Sequence, residues 1–204
     1  MIKGSFLLIT LLLFSFSSCY ANEVNERLSD EELIHEVIEA AKESDLHKRL
    51  ERLNNLEKNA NSYQSFVILP FLIKTEIKVN NIKEAEKHAN ELLKLSEEYK
   101  DDWNYGNAIH DANIVLGLVA LREKNVQKAK EYLLRAGKAP SSPQMNNFGP
   151  NMMLADALLD IGEKKVVIKY LELVKKIWKN NNGRIDSWIA SIKGGGKPYF
   201  GANL

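Results

Sequence analysis

The residues whose types and spacing could do chemistry together are Asn107, His110 and Asp111. Separations of three and four put Asn107 on one helix face with His110 and with Asp111. An imidazole beside a carboxylate is the pairing that acid–base catalysis uses, because the carboxylate orients the ring and stabilises its protonated form. Asn104 and Asn113 flank the group with further amides. Asn147 and Asn151 stand near the start of the next first helix. If neighbouring hairpins stack in parallel, these helix N-termini lie side by side and gather amides, one imidazole and one carboxylate at one edge of an inner surface. The candidate binding residues are Asn107, His110, Asp111, Asn147 and Asn151. The competing reading is structural: asparagine and aspartate cap helices and tie down loops, here the stretch 138–149. No residue is assigned as catalytic.

Other chemistry is scarce. His35, His47 and His88 sit among charged residues and read as surface side chains. No histidine has the helical partner spacing that a zinc protease needs, so no metal site is expected. Gly194-Gly195-Gly196-Lys197 is followed by Pro198 rather than Ser or Thr, and it ends a helix instead of opening one. It reads as a helix stop and hinge, not a phosphate cradle. No G-x-S-x-G elbow is present, and no cofactor is expected.

The single cysteine, Cys19, lies in the N-terminal segment. Lys3, an apolar run over 6–16, and Ser17-Ser18-Cys19-Tyr20-Ala21 form the charged, apolar and small-residue regions of a secretory signal. Eleven residues of helix span roughly 16 Å, well short of the ~30 Å hydrocarbon core. Two processing sites compete. Phe16-Ser17-Ser18-Cys19 resembles a bacterial lipobox, with Phe16 where Leu is usual; Cys19 would then be lipidated and residues 1–18 removed. Alternatively cleavage follows Ala21 and Cys19 is lost with residues 1–21. Either way the expected localisation is exported: periplasmic, or envelope-anchored through a lipid at Cys19. The body then has no cysteine and must be held by packing alone.

The chain of 204 residues carries 28 basic and 27 acidic residues. Lys3 is the only charged residue among the first 21, so the remainder is balanced at 27 against 27. Pairs such as Lys164-Lys165 and Lys175-Lys176 recur at helical spacing as solvated faces. Nucleic-acid binding needs a clustered basic excess, which is missing.

Apolar residues recur at three and four, so the elements that position these groups are helices. Ser29-Asp30-Glu31-Glu32 is a capping box opening a helix with Leu33, Val37, Ala40 and Ala41 on one face. Asp45 caps a second, with Leu46, Leu50 and Leu53. Ser62 begins a third, with Pro70 inside it predicting a kink or a late start. Asn81-Ile82-Lys83-Glu84 is another capping pattern. A long helix follows over about 104–122, and Asn125 starts the next. Residues 138–149, with Pro140 and Pro143, read as loop. Pro150 suits the first turn of the next helix, which carries Leu154, Ala155, Leu158 and Ile161 and stops at Gly162. The last long helix runs to about Lys179. Ile185, Trp188, Ile189 and Ile192 mark a short amphipathic helix that caps the exposed end.

Three of these pairs align by their turns. Second helices start at Asn81, Asn125 and Glu163. Ala85, Ala129 and Val167 follow four residues later, and Ile73, Gly117 and Ala155 stand twelve before those. Four and seven residues beyond come Ala89, Leu133 and Leu171, then Leu92, Ala136 and Val174. The middle unit, with Leu116-Gly117, Ala120, Ala129, Leu133, Ala136 and Pro140, resembles a tetratricopeptide repeat, in which a small residue lets the second helix cross closely. The outer units are degenerate, and spacings of 44 and 38 residues exceed the usual 34. The resemblance covers about residues 62–180. It implies an all-α, right-handed superhelical array of tetratricopeptide-like hairpins behind an N-terminal signal segment. The expected organisation is a signal over 1–21, a tether over 22–28, a capping hairpin over 29–60, repeats over 61–182, and a capping helix and tail over 183–204.

The strings over 106–110, 142–152 and 200–204 resemble a family of uncharacterised bacterial exported helical-repeat proteins. That likeness implies the fold and a bacterial setting, and no substrate. The function expected is non-enzymatic: an interaction module or scaffold of the envelope, binding a peptide or protein on a concave helical surface. One alternative is an immunity or inhibitor protein that masks an exported toxin. The other is an enzyme, or an enzyme's accessory subunit, using His110 and Asp111.

Overall fold

The computed structural model describes residues 28–204, and these are all-helical. The expected signal segment and Cys19 lie outside the described residues. Among the described residues no helix is long and apolar enough to cross a membrane. The helices are α1 (Asp30–Lys42), α2 (Leu46–Glu57), α3 (Ser62–Lys78), α4 (Ile82–Ser96), α5 (Tyr105–Arg122), α6 (Val126–Ala136), α7 (Pro143–Phe148), α8 (Met153–Asp160), α9 (Lys164–Val174) and α10 (Arg184–Lys193). A 3-10 turn, Gly201–Asn203, follows.

Neighbours in sequence pack as pairs: α1 with α2, α3 with α4, α5 with α6, and α8 with α9. The first helices also touch in series, α1 on α3, α3 on α5 and α5 on α8. The caps behave as the sequence predicts at three starts. Ser29 and Glu32 close a reciprocal capping box, Asp45 accepts from the amides of His47 and Lys48, and Asn125 accepts from that of Lys128. Asn81 does not cap: it makes no side-chain cap bond.

The turn at Asn81 is instead held by the backbone, and the same device recurs twice. Asn80, Lys124 and Gly162 take positive φ, at 64°, 61° and 82°. The next amide then reaches the carbonyl five residues back: Asn81 to Glu76 at 2.8 Å, Asn125 to Ala120 at 2.8 Å, and Glu163 to Leu158 at 2.9 Å. This is the left-handed helix stop that satisfies orphan carbonyls. The twelve residues that align about these turns in the sequence are all buried.

Helix α5 is the centre of the molecule. Ala108, Ala112 and Val115 belong to one apolar cluster, shared with α1–α4. Ile114 and Ala120 belong to another, which extends through α6, α8, α9, α10 and Phe200. A helix enclosed on nearly every side drags its polar residues inward too. Asn104, Asn107, His110, Asp111 and Asn113 are all buried.

Several sequence expectations are corrected. Pro70 does not delay the start of α3, which runs from Ser62 to Lys78 through it; the ring removes a donor to the Phe66 carbonyl, and both residues are buried. The loop 138–149 contains a helix, α7, because Ser142 accepts from the Met145 amide and Pro143 occupies its first turn. Pro150 lies before α8, which starts only at Met153. The Asn151 side chain accepts from the Met153 amide at 2.9 Å, just ahead of that start. Ile161 is exposed, since the helix has already turned off at Asp160. The last long helix stops at Val174, and residues 175–179 continue as turns that bury Trp178. The small residue Gly117 admits Leu154 of α8, whose Cδ2 would lie 2.1 Å from an added Cβ. At this position the nearest atoms belong to the next pair's first helix.

Candidate functional site

Five groups form a polar chain through the interior. The Lys74 ammonium meets Asp111 Oδ2 at 2.7 Å. Asp111 Oδ1 lies 3.3 Å from His110 Nδ1. His110 Nε2 lies 3.0 Å from the Tyr170 hydroxyl, which donates to the Asn151 carbonyl at 3.1 Å. The chain ties α3, α5 and α9 to the segment before α8. His110 is 1% exposed and Asp111 8%. Burial pushes the Asp111 carboxyl up, but the Lys74 charge and the His110 hydrogen bond outweigh it and hold it at about 2. Burial, then the Asp111 charge, raises the Tyr170 phenol well above its ordinary value. The hydroxyl has one proton. It cannot donate to the Asn151 carbonyl and to His110 Nε2 at once.

Asn107 serves a second network. Its Nδ2 donates to Asn104 Oδ1 at 2.9 Å and to Gln144 Oε1 at 3.0 Å. Its Oδ1 accepts from the Ser142 hydroxyl at 2.6 Å. Asn107 therefore pins the start of α7 onto α5. Asn113 bonds back to the Ile109 carbonyl of its own helix.

Asn107, His110, Asp111 and Asn151 border one pocket of about 250 Å³, together with Lys74 and Lys78 of α3. Asn147 does not join them. Its Oδ1 accepts from Asn180 at 2.8 Å, and it borders a second, apolar groove of about 400 Å³. That groove lies between Ile34 and Ile38 of α1, Phe71 of α3, Trp103, and Phe148 of α7. Phe148 is 73% exposed and Trp103 55%. The two hollows share Gln144 and Phe148 as walls.

Sequence reasoning missed Lys74, Lys78 and Tyr170. Tyr170 did carry a signal: it stands three residues after Val167, on the apolar side of α9, where a phenol needs a partner. Lys74 carried none, because a lysine mid-helix reads as a solvated face. His88 is corrected as well. It is not a surface residue but packs its Nδ1 2.9 Å from Glu76 Oε1, and Glu76 is fully enclosed. His35 and His47 are exposed, as expected. Among the described residues, no group of three or more metal-ligating side chains comes together. Comparison with family models, with curated proteins and with solved structures found no match to this chain.

Proposed function

We propose that this protein is an exported, tetratricopeptide-like interaction module that binds a peptide or protein segment across the surface of α1, α3 and α7. The observation that carries this reading is the apolar groove. It is rimmed by the exposed side chains of Ile38, Trp103 and Phe148, and contiguous exposed apolar surface beside polar walls is what partner sites present. The repeated turn at Asn80, Lys124 and Gly162, with its aligned buried positions, supports the helical-repeat part. Export rests on the charge and hydropathy pattern of residues 1–21, and a lipid at Cys19 is the envelope-anchored version of it.

The same arrangement weighs against His110 as a catalytic base. The ring is 1% exposed and its Nε2 lies against the Tyr170 hydroxyl, so a substrate reaches that nitrogen only if Tyr170 moves. The polar chain is read as the brace that holds the groove's neighbours in register.

The test is capture of partners from envelope extracts by the chain without residues 1–21, run beside Phe148→Asp and Trp103→Ala. A stoichiometric partner retained by the parent and lost in Phe148→Asp, with circular dichroism unchanged, is the expected result. Equal capture by parent and variants overturns the reading.

A further inference from the structure

We infer that Arg49, Lys74 and Lys78 anchor the carboxylates of the bound segment, so that the partner is an acidic peptide whose apolar side chain seats in the adjoining groove. This deepens the proposed function and rests on it. Lys74 and Lys78 border the polar pocket beside Asp111, and they also border a hollow of about 200 Å³ toward Arg49 and Ala41. The charges at this edge do not cancel. Asp111 pairs with Lys74. Arg49 donates to a neutral acceptor, the Glu43 backbone carbonyl, and among the described residues neither Arg49 nor Lys78 is in an ion pair. Among the side chains that border these two hollows, three cations therefore face one carboxylate, that of Asp111, with Leu204 also bordering the pocket.

The electrostatics at Lys78 agree with this count. Burial, then the positive charges of Arg49 and Lys74, hold its ammonium below the ordinary range. An incoming anion relieves that repulsion. The basic edge is also continuous with the groove: the Lys74 ammonium sits 5.2 Å from the centre of the Phe71 ring, and Phe71 is a groove wall. Lys74 and Lys78 stand one helical turn apart, which spreads the charge along α3 instead of focusing it. Spread charge suits several carboxylates on a peptide better than one compact polyanion.

The experiment uses fluorescence anisotropy with the chain lacking residues 1–21. The probe is a short labelled peptide pool in which Leu and Phe alternate with Glu, set against the same pool with Gln for Glu. The Glu pool binds more tightly, its advantage shrinks as salt rises, and the Arg49→Glu, Lys78→Glu double variant loses about tenfold in affinity. Lys78 is exposed and Arg49 half-buried against the Glu43 carbonyl, and circular dichroism checks the fold. If both pools bind alike, or the double variant binds the Glu pool unchanged, while Phe148→Asp still weakens binding, the acidic partner is refuted and the groove stands. Binding of neither pool, together with equal partner capture by the parent and Phe148→Asp, overturns both. Displacement of the Glu pool by inorganic phosphate at constant ionic strength points to a phosphate site and overturns the carboxylate.

Discussion

The imidazole of His110 and the phenol of Tyr170, 60 residues apart in the chain, meet at 3.0 Å in the interior. Their bond links α5 to α9 and, through the Tyr170 hydroxyl, to the Asn151 carbonyl. Removing that hydroxyl leaves His110 Nε2 and the Asn151 carbonyl without it as a partner. Tyr170→Phe is expected to destabilise the protein by about 1–3 kcal/mol, the cost of buried groups left unsatisfied. Urea unfolding measures it. A variant as stable as the parent would show that the hydroxyl is dispensable to the fold.

Gly117 of α5 packs directly against Leu154 of α8. An added methyl meets Leu154 Cδ2 at 2.1 Å, and Leu154 is fully buried. Gly117→Ala is expected to cost about 1–3 kcal/mol by overpacking, despite the better helix propensity of alanine. Leu154→Ala makes the room. In a double-mutant cycle the pair should cost clearly less than the two single changes added together. Simple additivity would remove the contact as the cause.

The three left-handed turns carry three different residues. Lys124 pays for its φ of 61° with steric strain that glycine does not feel. Lys124→Gly is expected to raise stability by about 0.5–1 kcal/mol, and Gly162→Ala to lower it by about 1–2 kcal/mol. No neighbouring atom lies within 4 Å of a Cβ added at Gly162, so its loss would be conformational. Thermal melting separates the two signs, and a rise on Gly162→Ala is the outcome that contradicts the turn.

Stability should fall away on both sides of a slightly acidic optimum. The Glu76 hydrogen bond raises the His88 imidazole, against an opposing effect of burial. A raised folded-state value means the pair's contribution is whole below the unfolded imidazole's ~6.5 and is lost as pH climbs through the higher folded value. Asp111 acts in the opposite direction. Its carboxyl lies at about 2 when folded, so its contribution is present above ~3.9 and is lost as pH falls toward the folded value. Glu57, raised by burial above all, adds a loss as pH rises through its own window. Unfolding free energies across pH should show a flattened alkaline side in His88→Gln and a flattened acid limb in Asp111→Asn. A His88→Gln curve parallel to the parent above neutrality would dissociate this pair from the effect.

Much of the helix inventory was legible locally. Ser29, Asp45 and Asn125 announce their helices because a cap needs only its own residue and the next three amides. The aligned positions from Ile73 to Val174 were legible because period and burial go together in helices. Errors came where a local signal had two readings. Pro143 marked a loop by composition and a helix start by its place after Ser142. Pro150 looked like a first-turn residue, yet α8 starts only at Met153.

The sequence by itself determined that this chain is helical, where most of its turns lie, and that Asn107, His110 and Asp111 leave one face of one helix. Those are consequences of spacing along a single element. Only the tertiary structure decided what these residues touch. Enclosure of α5 made them interior, Lys74 arrived from α3 and Tyr170 from α9, and the two imidazole nitrogens of His110 came to face Asp111 and Tyr170. Asn147 was turned away to Asn180 by the unforeseen α7. The apolar groove and the basic edge beside it are likewise properties of packing, because each is assembled from helices that no local pattern places together.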